Sequence, residues 1–252
     1  PFRGASGVTH PLLSEAATQF QAQAFNELLP ASGPVRTVVM GKDSTSKNQQ
    51  AKRVRQFMNY YITSVMEEYT PDMDQMLFYL PLAGSTFKKT YFDETMGRAV
   101  SKFVPAENLV VPYETSDLET CPNITQVVRM SLNDLRKRQI AGTYLDVEVI
   151  PAQKEMSDLD GEMDRIEGME PNQIDYDCTI LECHVDLDLE GYEELDTDGE
   201  PTGIKVPYVV TLSEDNGQVL SIRRNYLEED ELKRKIQYFT HFKFLPGFGF
   251  YG

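Results

Sequence analysis

With 252 residues, 40% of them hydrophobic and thirteen each of Tyr and Phe, the chain is long enough to bury a core as one large domain or two small ones, so a globular protein is expected. Its net charge of -16 is concentrated: residues 151–200 hold eighteen acids against Lys154 and Arg165, and the remainder is balanced at 22 basic against 22 acidic residues. Such a surface argues against tight unassisted binding to nucleic acid phosphates. Three cysteines are too few and too odd in number for a disulfide framework, which points to a reducing, cytosolic compartment, and no apolar run approaches the roughly 18 residues of a membrane span. The chain opens at Pro1 and closes on an aromatic run, so it reads as a piece of a longer protein.

The expected fold class is α+β, with N-terminal amphipathic helices and short strands followed by a C-terminal antiparallel, hairpin-rich β region. The divisions are a mixed part over residues 1–150, an acidic mobile segment over 151–175 and the β region over 176–252. From Pro11 to Leu29 the residues Leu13, Ala16, Ala17, Phe20, Ala24 and Leu28 recur at helical spacing. Pro30 and Ser32-Gly33-Pro34 end that helix, and Val35 to Met40 reads as a short strand.

A central helix is predicted from Lys47 to Tyr69. Its stripe is Val54, Phe57, Met58, Tyr61, Ile62, Val65, Met66 and Tyr69, and packing of that stripe on the following strands is expected to hold it. Lys47, Lys52, Arg53 and Arg55 crowd its first half, against the helix dipole, and Thr70-Pro71 should stop it. Asp72 can cap a further helix carrying Met73, Met76, Leu77 and Leu80, which Pro81 should kink or end and Gly84 break.

Thr86 to Phe92 and Ala99 to Val104 form a predicted hairpin, followed by a short strand at Leu109-Val110-Val111. Val127 to Met130 reads as a strand, and Ser131 caps a helix through Leu135 and Ile140 that Gly142 stops. Tyr176 to Leu189 alternates strictly. Thr179, Leu181, Cys183, Val185, Leu187 and Leu189 are expected to face the core, with Cys178, Ile180, Glu182, His184, Asp186 and Asp188 mostly in water. Val206 to Leu212 and Gln218 to Arg224 pair through a turn at Asn216-Gly217, the strongest hairpin signal in the chain.

Chemistry-bearing motifs are weak. Asp186, Asp188, Glu190 and Gly191 fit the start of a calcium loop, with the three carboxylates as candidate metal ligands, but the twelfth place is Thr197 rather than a bidentate Glu. Cys178 and Cys183 lie an odd number of residues apart on a strand and face opposite ways, which separates them as ligands. Gly247, Gly249 and Gly252 match G-x-G-x-x-G, yet aromatic residues fill the gaps and no helix follows, so an aromatic turn packed under the sheet is expected. Neither His10 nor His241 has a catalytic partner nearby in sequence, so no catalytic residue, cofactor or enzyme activity is assigned.

Several segments together resemble the portal, or head-to-tail connector, proteins of short-tailed, podovirus-type bacteriophages. They are Pro11-Leu12-Leu13 with Glu27-Leu28-Leu29-Pro30 and Gly33-Pro34-Val35, the central helix, Leu82 through Asp93, Phe103 through Leu109, and the aromatic run ending at Gly252. The resemblance implies the wing portion of a homo-oligomeric ring, usually of twelve subunits, at one capsid vertex of the virion, assembled in the bacterial host cytoplasm. It also implies capsid and scaffolding proteins, a terminase and a tail adaptor as partners. Double-stranded DNA would pass through without sequence-specific contacts and no membrane would be involved. The competing expectation is an acidic calcium- or protein-binding α+β module unrelated to packaging.

Overall fold

A computed structural model describes residues 10–149, 177–195, 198–245, 247 and 250. The fold is α+β, with N-terminal helices and a C-terminal antiparallel sheet. The chain forms two compact units, residues 1–106 with 238–252, and residues 107–237. These units cut the chain differently from the divisions expected at residues 150 and 175. The reason is long-range strand pairing: the last strand returns to the first, and Val127 to Met130 belongs with the strands that follow it. The acidic segment expected over 151–175 lies outside the described residues.

The first unit contains α1 (Leu12–Leu28), α2 (Thr45–Tyr60), a π-helical turn (Tyr61–Val65), α3 (Tyr69–Ala83), β1 (Ser85–Asp93), β2 (Arg98–Pro105) and β8 (Phe239–Lys243). Its sheet has the order β2-β1-β8, all antiparallel. One sheet face receives α3, whose Met73, Met76 and Leu77 gather Phe20, Ala24, Phe25 and Leu29 of the α1 region with Phe103 and Phe242 of the sheet. On the other face Phe87 is fully buried against His241 and Phe250, with ring centroids 4.5 and 5.9 Å away. Phe250 thus packs under the sheet, while Gly249 and Gly252 of the aromatic ending lie outside the described residues.

The single helix expected from Lys47 to Tyr69 is two helices. Met66 leaves helical geometry (φ -86°, ψ 78°), and the stripe divides there: Met66 is buried, but Val54, Phe57 and Met58 are exposed. Pro71 does not stop a helix. It sits in the first turn of α3, where its missing N–H has no helical partner to lose. Asp72 does not cap that turn, and Pro81 is accommodated in the last turn, with Gly84 in left-handed geometry (φ 77°) ending the helix. Val35 to Met40 forms no strand. It runs beside α2, fixed by Asn59, whose side-chain amide bonds both the N–H and the carbonyl of Val35 at 2.8 and 3.2 Å, and by the Thr37 hydroxyl donating to the Ala51 carbonyl at 3.1 Å.

β2 is an edge strand whose outward N–H groups are all taken. Ala99 N–H donates to the Tyr61 hydroxyl at 3.0 Å, Ser101 N–H to the Glu68 carboxylate at 3.2 Å, and Phe103 N–H to the Asp72 carboxylate at 2.8 Å. Arg98 closes on Glu68 at 2.7 Å. Side chains from the π-turn and α3 therefore replace the missing neighbouring strand.

The second unit is a five-stranded antiparallel sheet in the order β3-β4-β5-β6-β7, built from β3 (Leu109–Val110), β4 (Asn123–Ser131), β5 (Asp177–Leu187), β6 (Val206–Ser213) and β7 (Val219–Arg224), with α4 (Leu132–Ile140) on it. Ser131 caps α4 through the Asp134 N–H at 3.1 Å, and Gly217 (φ 67°) makes the β6–β7 turn that Asn216-Gly217 announces. The half-wet β5 expected from its alternation is corrected. Cys178 and Ile180 are fully buried with Met130, Leu135, Tyr144, Val149 and Leu220, because α4 and the chain after it cover that face. The opposite face carries Leu187 and Leu189 against Val206, Tyr208, Val210 and Tyr226. Only the end of the strand, at Asp186 and Asp188, reaches water on the face assigned to solvent.

Candidate functional site

The feature of this chain least explained by its own core is α2. Ser44 caps it by accepting from Lys47 N–H at 3.3 Å, and Asn48 bonds Asp43 at 2.7 Å, so its start is well defined. Nevertheless none of its sixteen residues is buried. An isolated helix of this length is marginal in water, and most helices in proteins are held by a packed apolar face. Here Phe57 and Tyr60 are each 60% exposed, Val54 47% and Met58 37%. Lys47, Lys52, Arg53 and Arg55 stand among them, and α2 contains no acidic residue. Among the described residues no carboxylate pairs with Lys52, Arg53 or Arg55. The result is a basic, apolar ridge, bordered by exposed Val38 and Met40 of the flanking segment.

The candidate calcium ligands lie in the second unit. Asp186, Asp188 and Glu190 are exposed where β5 runs out into a turn. Gly191 (φ 83°) shapes that turn, its N–H donating to the Glu193 carboxylate at 2.8 Å, and Tyr208 donates its hydroxyl to the Tyr192 carbonyl. Glu194 accepts from the Tyr226 hydroxyl at 3.1 Å and pairs with Lys233 at 3.4 Å. Among the described residues no three His, Cys, Asp or Glu side chains converge on one point, and Thr197 lies outside them. Cys178 and Cys183 point to opposite faces of a regular ladder, and Cys183 is only partly buried, accepting from the Thr125 hydroxyl at 3.5 Å. His184 is buried with its Nε2 2.7 Å from Glu182 Oε1.

Two polar groups of the first unit, buried Ser85 and partly buried His241, were invisible in sequence because they are distant along the chain. Ser85 Oγ and His241 Nε2 lie 2.9 Å apart across 156 positions. Ser85 is fully buried, so the pair has no substrate access and serves the strand contact rather than nucleophilic chemistry. Burial, aided by the charge of Lys243, pushes His241 down to about 4 from its ordinary 6.5. The folded chain therefore keeps His241 neutral while the unfolded chain takes up a proton, so its contribution to stability is complete above pH 6.5 and is lost as pH falls towards about 4. Burial also pushes Glu68 up, but the N–H groups of its own backbone and Ser101, with Arg98, outweigh this and hold it below the ordinary 4.5; its contribution is lost at still lower pH. Denaturant midpoints measured from pH 8 to 4 are expected to fall below about 6.5, and His241→Gln is expected to flatten the upper part of that fall. An unchanged slope in the variant would remove His241 from the explanation.

Among the described residues no helix is long and apolar enough to cross a membrane. No family model and no curated protein matches the chain.

Proposed function

We propose that this chain is a wing portion of a phage portal ring, a structural subunit of the conduit through which a genome is packaged and ejected at one capsid vertex. The observation that carries this reading is α2: a capped helix with a basic and apolar surface that the chain itself leaves uncovered. A subunit that completes its packing only in a ring has such surfaces as a matter of course. The portal-like segments support the reading further. Pro11 to Leu13 and Glu27 to Pro30 bracket α1, Leu82 to Asp93 forms the α3–β1 junction, and Phe250 packs on β1, so these all belong to one unit.

The electrostatics suit a conduit. A net charge of -16 does not grip phosphate, and DNA must slide. The role is mechanical, with no cofactor and no catalysis; capsid and scaffolding proteins are the partners of the wing, and the terminase and tail adaptor meet other parts of the ring. The test is the solution mass, by native mass spectrometry, of the chain extended past Gly252 by its natural downstream sequence. A large closed ring, of about twelve subunits, is expected. A monomer at every salt and protein concentration would overturn the proposal.

A further inference from the structure

We infer that α2 is one half of a head-to-tail contact between copies of this chain, its cations and apolar ridge seating on the acidic turn after β5 of the next copy. The inference rests on the ring reading for its symmetry and on four observations of its own.

First, α2 has no buried residue and its apolar side chains are open, so it lacks the packing that stabilises helices of this length. Second, charge divides between the units. The first holds 12 basic and 9 acidic residues, the second 12 basic and 31 acidic. Within them, α2 has four cations and no acid, while residues 186–195 have five acids and no cation. Third, the acidic turn carries exposed apolar groups of its own, Tyr192 at 50% and Leu195 at 54%, to meet Phe57 and Tyr60. Two surfaces that each mix one sign of charge with apolar area match in both respects.

Fourth, the alternative self-contact is disfavoured. A two-fold pairing of α2 with α2 would set four cations against four cations, which costs free energy and has no compensating acid on either helix. Joining two different patches of the same chain is heterologous, and heterologous contacts close into a ring where the rotation between copies allows it and otherwise run on as an open filament. In this arrangement Asp186, Asp188 and Glu190 are not ligands for a metal. They are the counter-charges for Lys52, Arg53 and Arg55 of a neighbouring subunit.

The test uses the extended chain in two forms, each with one added cysteine and a different mass tag, Phe57→Cys and Asp188→Cys, both at exposed positions, mixed and treated with a short bis-maleimide; the parent chain gives the background of Cys121, Cys178 and Cys183. The mixed product is expected to exceed either same-variant product at least about tenfold, and to fall as salt is raised. A dominant Phe57→Cys homodimer, or no mixed product above background, would overturn the inference. A second pair guards against a local effect of the cysteines. Lys52→Glu/Arg53→Glu/Arg55→Glu and Asp186→Lys/Asp188→Lys/Glu190→Lys are each expected to lose self-association and to associate with each other; failure of the mixture to associate counts against the contact. The two readings fail separately. A closed ring with cross-links elsewhere overturns this contact and leaves the portal reading, whereas a mixed product without a closed ring leaves the contact and counts against the portal.

Discussion

Phe87→Ala is expected to destabilise the first unit by about 3–5 kcal/mol, a large part of the stability of an ordinary domain. Phe87 lies on β1, the middle strand of its sheet, opposite Val104 on one side and His241 on the other. Its ring is wholly buried and stacked with His241 at 27° and with Phe250 at 16°. Removing it takes away apolar burial and leaves a hole that neighbouring strands, held by their ladders, cannot close. Truncation also removes the aromatic face on which Phe250 is laid, so the effect should combine a core loss with release of Phe250. Equilibrium urea unfolding gives the magnitude, and hydrogen exchange on peptides from β1, β2 and β8 gives the location. A loss below about 1 kcal/mol would mean that Phe87 is not the keystone its burial indicates.

The second large effect has the opposite sign. Lys88 is 4% exposed, its amine lies 4.0 Å from the centre of the Tyr69 ring, and no hydrogen-bond acceptor reaches it among the described residues. Burial pushes the amine down from 10.5 to about 8, against the pull of the Asp72 and Glu68 charges. Holding the proton under that depression costs on the order of 3 kcal/mol at neutral pH. Lys88→Met keeps an unbranched chain of similar size against Tyr69 and discards the charge. After allowing for the counter-charge that Asp72 and Glu68 lose, a net stabilisation of about 1–2 kcal/mol is expected at pH 7. The pH dependence identifies the cause. Between about 8 and 10.5 the unfolded parent binds more protons than the folded parent, so the parent gains stability with rising pH and the variant's advantage shrinks. A variant that is less stable at pH 7, or an advantage that does not narrow, would assign Lys88 a stabilising contact with Tyr69 instead.

What could be read from the sequence was local. Asn216-Gly217 makes its turn, Ser131 caps α4 and Gly84 ends α3, because the chemistry of each lies within a few residues. The hairpin of β1 and β2 follows from its alternation for the same reason. The misread elements depend on distant ones. The stripe of α2 has the spacing of a core helix, and spacing does not reveal whether anything in the same chain comes to cover it. The even-numbered residues of β5 look half polar, yet α4 lies over them and buries Cys178 and Ile180. Likewise β8 joins β1 across some 150 positions, and with it comes the Ser85–His241 pair, and neither this pair nor the burial of Lys88 has a local signature. The candidate site was legible in part: the cations of α2 and the acids near Asp186 are plain in the sequence, but the exposure that turns them into surfaces is a property of the fold.

The three side chains that occupy the outward amides of β2 also determine how this protein goes wrong. An uncovered edge is a template on which strands from other molecules can add, and repeated addition makes insoluble fibres. With Tyr61, Glu68 and Asp72 in place no such growth can start along β2, so native copies can join there only through side chains. Once α3 lifts away, the same amides become sticky over the length of the strand. A nascent or partly unfolded chain is therefore exposed to fibre formation until α3 has docked, and Glu68, with Arg98 beside it, guards the solubility of the unit as well as its stability.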